Sequence, residues 1–263
     1  MKAVIAIDSF KGSLSSLEAG QAAEAGIKRA FPDAVTQVCP LADGGEGTVE
    51  TLIGGMGGII RRLPVTGPLG ETVTGRYGIL EDGITAVLEM ADAAGITIVS
   101  PEQRNPLYTT TYGVGETIRD AIGEGCRKFI IGIGGSATND GGVGMLQALG
   151  FEFLDGEGKP VAFGARGLEK LVCIGIRHAM EELSDCEFHI ACDVKNGLCG
   201  PDGCSAVFGP QKGADAAMIR KMDAWLADYA ALAAAACEGG AADPDHPGSG
   251  AAGGLGFAFR TFL

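Results

Sequence analysis

Short apolar runs alternate along this chain with stretches in which apolar residues recur every three or four positions. Residues 4–7 form one unbroken apolar run, the pattern of a buried strand. Ser15 and Glu18 match a capping box, and Ala19, Ala22, Ala23, Ile27 and Ala30 follow at helical spacing up to Pro32. The stretch TQVCPLADGGEGTVETLI predicts an extended piece, a polar glycine loop and a helix from about Thr48. Strand, loop and helix thus occur twice in the first third. Residues 59–90 read differently: LPVTG, ETVTGRYGIL and TAVLEMA, parted by Gly-Pro and Asp-Gly turns, predict antiparallel or mixed strands. From Thr109 a helical pattern runs through Val114, Ile118 and Ile122. A strand over 128–133, a loop over 134–142 and a helix from about Val143 follow. EFHIACDV predicts a strand ending on Asp193. A long helix after GPQKGAD carries Met218, Met222, Trp225, Leu226, Tyr229 and Leu232 on one stripe. The last residues predict a glycine loop feeding a helix whose Phe257, Phe259, Phe262 and Leu263 have little to bury against. Strands alternating with helices argue for an α/β fold.

Composition narrows the function classes. The net charge is −13 and the pI about 4.6. That argues against nucleic acid and anionic membranes, which call for basic patches. No apolar run reaches the ~18 residues of a membrane span, and the first run meets Asp8 too early for a signal peptide. Eight cysteines form no CxxC pair and are expected to be reduced thiols. Cys186, His189 and Cys192, with Cys199 and Cys204 nearby, invite a zinc reading. But strand alternation sends Cys186 and Cys192 to one face and His189 to the other, so core thiols are expected instead.

Glycine changes the picture most. There are 44 glycines in 263 residues, clustered rather than periodic. Such clusters mark tight turns and close approach of backbone to a ligand. GIGGSATNDGG, between a strand and a helix, is an anion-site pattern: bare amides of Gly134 and Gly135, a helix N-terminus, and donors on Ser136, Thr138 and Asn139. Asp140 is an awkward neighbour for a phosphate unless a cation or a hydroxyl intervenes. Four further polar glycine loops follow strands or precede helices. They carry Asp8, Ser9, Lys11 and Ser13; Asp43 and Glu46; Asp193, Lys195 and Asn196; and Gln211 and Lys212. In open α/β sheets ligands sit beyond the carboxyl ends of strands, so the five loops argue for one converging site. Amides and lysines for phosphates, with carboxylates for Mg²⁺, suit phosphoryl transfer. A hydride-transfer enzyme is disfavoured, because there is no GxGxxG with an acidic residue ~20 positions on. A binding module without turnover remains the rival from another class.

The blocks DSFKGSLSS, ADGGEGT, VTGPLGE, EMADAAG, RNPLYTTTYGVGE, GIGGSATNDGGVGMLQALG, ACDVKN, SAVFGPQKGA and GSGAAGGLG closely resemble the type-I glycerate kinases. The resemblance implies ATP- and Mg²⁺-dependent phosphorylation of D-glycerate in the cytoplasm, with 2-phosphoglycerate favoured over 3-phosphoglycerate. It also implies two α/β domains flanking a cleft. One is a flavodoxin- or Rossmann-like parallel-sheet domain and the other an inserted mixed-sheet domain. Residues 1–60 would begin the first domain, its remainder lying C-terminal to this chain. Residues 61–263 would form the insert and the start of the return.

Members of the family continue past AAGGLG into a segment with an ITGEG…D motif that this chain lacks. The chain is therefore expected to be catalytically incomplete, and poorly soluble or dimerised through an open strand edge. FGARGLEKL replaces a more glycine-rich block, so residues 163–167 receive no phosphate role. Within the resemblance, Asp193 is expected as general base or Mg²⁺ ligand, and Lys11 and Lys212 as phosphate-neutralising cations. Asp43 and Glu46 are expected to bind metal or a substrate hydroxyl. Asp8, Ser9, Ser13, Gly134, Gly135, Ser136, Thr138, Asn139, Asp140, Asn196 and Gln211 would hold substrate or nucleotide.

Overall fold

The computed structural model describes residues 1–8, 10, 13–41, 45, 47–237 and 242–263. Two parallel strands open the fold: β1 (Lys2–Ile7) pairs with β2 (Val35–Pro40), from Lys2 opposite Val35 to Ile7 opposite Pro40. The connecting helix α1 (Ser16–Ala30) starts on the expected capping box. The Glu18 N–H donates to Ser15 Oγ at 3.2 Å, and the Ser15 N–H donates to Glu18 Oε2 at 2.9 Å. It ends at Phe31, before Pro32. Ala19 and Gly20 are its buried apolar contacts, and Ala22 and Ala30 of the expected stripe are exposed. Val4 is 69% exposed, so this strand is not the buried one its composition suggests. The reason is topological: β1 has a strand neighbour on one side only, and α1 covers one face.

Helix α2 (Thr48–Met56) leads into a larger sheet. Its strands are β3 (Gly58–Thr66), β4 (Thr72–Leu80), β5 (Thr85–Glu89), β6 (Lys128–Gly132) and, after the small antiparallel pair β7 (Glu152–Leu154) and β8 (Cys173–Gly175), β9 (Glu187–Ala191). The order is β3-β4-β5-β6-β9. The first three strands run antiparallel, and β5, β6 and β9 run parallel, as a mixed sheet should. One face packs on α2 through Val49, Leu80 and Val87. The other carries the main core. Over it lie α3 (Ala91–Ala94), α4 (Tyr112–Gly123), with Val114, Ile118 and Ile122 buried as their spacing requires, and α5 (Val143–Ala148).

Three further helices follow: α6 (Ala165–Leu168), α7 (Cys204–Phe208) and α8 (Ala216–Ala236). On α8, Met222, Leu226 and Tyr229 of the expected stripe are buried. The last helix, α9 (Leu255–Phe262), corrects the expectation of an unsupported end. Leu255 and Phe257 are fully buried. Phe257 meets Tyr229 at 5.4 Å between ring centres, Phe259 meets Phe188 at 5.8 Å, and Phe262 meets Phe151 at 5.6 Å. Its partners come from β9, β7 and α8, which no local pattern announces.

Strand β9 ends at Ala191, two residues before the expected Asp193. Its alternation is as read: Phe188 and Ile190 pack on the main core, while His189 turns to the other face beside Glu187. All eight cysteines are free thiols. Cys126 and Cys204 are buried, whereas Cys173 and Cys192 are exposed, so only some of them are core groups. Among the described residues no helix is long and apolar enough to cross a membrane.

Candidate active site

The parallel strands end in register, with Glu89 opposite Gly132 and Gly132 opposite Ala191. Beyond that edge the chain exposes Gly134 and Gly135 after β6, and Asp193 and Lys195 after β9. The glycine tip is pinned to the chain around α3. The Ile96 N–H donates to the Gly135 carbonyl at 2.8 Å, and the Ala137 N–H donates to the Ala94 carbonyl at 2.9 Å. Gly135 has φ +71°, which its missing Cβ permits. Ser136, paired with Gly95, is already buried.

The rest of the loop points inward. Thr138, Asn139 and Asp140 are buried. Asp140 accepts four hydrogen bonds: from the Thr111 N–H and Thr111 Oγ1, both at 2.9 Å, from the Gly142 N–H at 3.2 Å and from the Gly144 N–H at 3.3 Å. Asn139 Nδ2 donates to Ser205 Oγ at 2.9 Å. Lys212, also buried, donates from Nζ to the Thr138 carbonyl at 2.7 Å. Burial lowers the Lys212 pKa to about 8, with Cys204 and Asp140 acting the other way. Burial also raises the Asp140 pKa against its four donors.

A second glycine loop backs this one. The Gly141 N–H donates to the Gly253 carbonyl at 2.9 Å. A Cβ on Gly253, which has φ +69°, would stand 2.1 Å from the Thr138 carbonyl oxygen. The expected phosphate set therefore divides. Gly134 and Gly135 meet solvent, while Asp140, Lys212, the Thr138 carbonyl and Asn139 Nδ2 bond to protein; the Thr138 hydroxyl and Asn139 Oδ1 are buried without a protein partner.

The other candidates lie nearer the surface. Asp8 is exposed after β1, as is Ser13, whose N–H donates to the Phe10 carbonyl at 2.8 Å. Asn196 donates from Nδ2 to the Asp202 carbonyl at 2.7 Å. Gln211 is exposed before α8. Ser9, Lys11, Asp43 and Glu46 lie outside the described residues. An open groove of about 480 Å³ between β9 and α9 is lined by Phe188, Ile190, Val194 and Phe259 and holds no Asp or Glu, so it does not suit this chemistry.

Glu89 was missed from the sequence. It ends β5 on the α2 side and is 5% exposed. Its Oε2 accepts from the Gly47 N–H at 3.1 Å and its Oε1 from the Val49 N–H at 2.8 Å. The signal was an acid closing the apolar run TAVLE, where nothing but a built partner would offset its burial. Beside it Arg76 joins Asp92, at 2.8 Å, and Glu50 of α2.

These features describe a mixed α/β protein with a candidate site beyond parallel strand ends, at a braced glycine tip and exposed Asp193. Residues 3–263 match the Glycerate kinase family, and the chain belongs to it. It is 51% identical over 256 residues to the glycerate kinase of Haemophilus influenzae, covering 97% of this chain and 67% of that protein. It is 50% identical over 263 residues to the glycerate 2-kinase of Escherichia coli, covering 100% of this chain and 68% of that protein. The crystal structure assigned to glycerate kinase 2 of Salmonella typhimurium superposes with a TM-score of 0.95 at 50% identity, over 100% of this chain and 70% of that one.

Proposed function

We propose that the protein is a cytoplasmic glycerate kinase, transferring the γ-phosphoryl group of ATP to D-glycerate with the 2-hydroxyl as the favoured acceptor. Family membership supports the reaction class. The observation that carries the assignment of parts is the glycine tip: two exposed residues, Gly134 and Gly135, held from behind by a buried loop bonded to protein through Asp140, Asn139 Nδ2 and the Thr138 carbonyl. Phosphoryl transfer needs mainly fixed donors and placed charge, because little covalent chemistry falls to the protein. In this reading the Gly134 and Gly135 amides meet phosphate oxygens. Lys212 and Asp140 hold the loop rather than touch the ligand.

Asp193 and Lys195 face solvent beyond β9. Asp193 is assigned to the acceptor, taking the hydroxyl proton as the new P–O bond forms. Asp8, Ser13, Asn196 and Gln211 are assigned to hold substrate or nucleotide. Lys11, Asp43 and Glu46 complete the set from the sequence, the lysine on phosphate and the acids on metal. Mg²⁺ fits exposed carboxylates with no described cluster of three ligands, since it takes one or two carboxylates and fills its shell with water and phosphate. When bound it neutralises charge on the transferred group.

A coupled assay of ADP release on the full-length protein tests the reading, with the product identified by NMR. Glycerate-dependent release with 2-phosphoglycerate is expected. Asp193→Asn should lower kcat and kcat/KM together. No glycerate-dependent ADP release would remove the assignment, and a 3-phosphorylated product would remove the regiochemistry.

A further inference from the structure

Helix α2 begins without a cap of its own. Its N-cap is Gly47, at φ 91°, which has no side chain to accept the free amides of the first turn. Those amides are instead taken by a residue 42 positions away in sequence. Glu89 receives the Gly47 N–H on one oxygen and the Val49 N–H on the other. A local Ser or Asp cap would stabilise the helix alone. A cap rooted in a strand also fixes where the helix starts relative to the sheet.

The place of that root matters. Glu89 is the last residue of β5 and pairs with Gly132, the last residue of β6. The next residue, Met90, donates its N–H to the Gly132 carbonyl at 2.9 Å. From Gly132 the chain runs two residues to the exposed glycine tip. From Gly47 it runs back directly to Glu46, and four positions to Asp43. One carboxylate therefore joins the loop after β2 to the strand end that launches the tip. Arg76 repeats the linkage a turn further along α2, through Glu50, while held to Asp92. The first strand–helix–strand unit is joined to α2 by a 2.8 Å hydrogen bond between the hydroxyls of Ser16 and Thr51.

We infer that Glu89 is a positioning residue of the kinase, setting the start of α2 at Gly47 in register with the strand end that launches the Gly134–Gly135 tip, by capping α2 from the sheet. The inference rests on the kinase reading given above. It predicts that loosening this carboxylate disturbs the alignment of two loops more than it weakens nucleotide binding. Misplacement of reacting groups by about 1 Å costs on the order of a hundredfold in rate.

The test compares wild type with Glu89→Gln and Glu89→Asp in the full chain. Gln keeps one acceptor for Val49 but turns an NH₂ toward Gly47. Asp keeps both oxygens on a stem one methylene shorter. Hydrogen exchange over residues 45–52 reads the cap directly and needs no turnover. Exchange in Glu89→Gln should quicken roughly tenfold there, as loss of a cap implies, and stay unchanged in β3 and β4. In the same variant kcat should fall at least tenfold with the KM for ATP within about twofold, and Glu89→Asp should recover part of kcat.

Unchanged exchange at 45–52 would remove the cap. Quickened exchange with wild-type kcat would leave a cap but end the positioning role. Equal losses in both variants, with a lowered melting temperature, would make Glu89 a stability residue only. Wild type lacking glycerate-dependent turnover would overturn the kinase reading, and with it the positioning role, while the exchange still decided on the cap.

Discussion

The loop after β6 and the β1–β2 unit are both parallel α/β pieces that end in polar glycine-rich sequence, yet they are built in opposite ways. The first is tied by side chains and backbone from four distant segments: residues 94–96, Thr111, Ser205 with Lys212, and Gly253. The second is covered mainly by α1, with Val4 and Val35 turned to solvent. The difference separates two kinds of polar residue that look alike in sequence. Where the surroundings are closed, a carboxylate such as Asp140 is a structural acceptor. Where they are open, one such as Asp193 is available to a ligand.

The largest expected contrast is between Asp140→Ala and Val4→Ala. The first leaves four donors unpaired and the Lys212 ammonium without its neighbouring charge, and should cost about 3–5 kcal/mol. The second trims an exposed side chain and should stay within about 0.5 kcal/mol. Urea denaturation of both measures the gap, and equal effects would break the comparison. Next comes Gly253→Ala, whose methyl group meets the Thr138 carbonyl at a positive φ. Overpacking and strain together should cost about 2 kcal/mol, with loss of activity from the displaced tip.

A smaller effect sharpens the picture through pH. Lys212 titrates at about 8 when folded, against 10.5 as its ordinary value. Between those values the unfolded chain holds a proton that the folded chain has lost, so stability rises with pH. Below about 8 both states are protonated and the whole cost of burying the ammonium is present. From pH 8 to 9 the gain should be about 1 kcal/mol. Buried thiols act in the opposite sense from about their ordinary value of 9 upward, because the unfolded chain loses protons that the folded chain keeps; burial pushes Cys204 up to about 11 and Cys199 to about 12, and also raises Cys126, Cys186, Cys192 and Cys237. The Lys212 share is therefore read as a difference: from pH 8 to 9 the stability of wild type relative to Lys212→Met should rise by about 1 kcal/mol in denaturation measurements. Smallest is Gly26→Ala on α1, where nothing lies within 4 Å of the added Cβ. There the same type of change that harms Gly253 should stabilise by about 0.4–1 kcal/mol.

Local physics was legible in the sequence. The capping box at Ser15, the start of α2 near Thr48, the stripe of α4 and the strand–loop–helix around Gly134 all depend on neighbours within a few residues. What escaped depends on partners far away. Val4 has the composition of a core strand, and only the sheet order leaves it exposed. Phe257 looked unsupported because its partner Tyr229 reaches it from α8, and Phe153 of β7 packs on Tyr229 in turn. Glu89 was passed over because its two donors belong to a helix that starts 42 residues earlier. In the candidate site, Asp193 and the glycine tip are where the loop pattern put them. The inward turn of Asp140 and Lys212 follows from contacts that spacing does not encode.

The pairing of Gly141 with Gly253 has a consequence for biosynthesis. These residues are about 110 positions apart, and the hydrogen bond between them cannot form until the later one has left the ribosome. At ~5–20 residues per second that is a delay of roughly 6–20 s. During that interval the nascent chain carries the glycine tip without its backing, and the Thr138 carbonyl awaits the backbone that will press against it. The glycine tip is thus braced only after a stretch more than 100 residues downstream has been made.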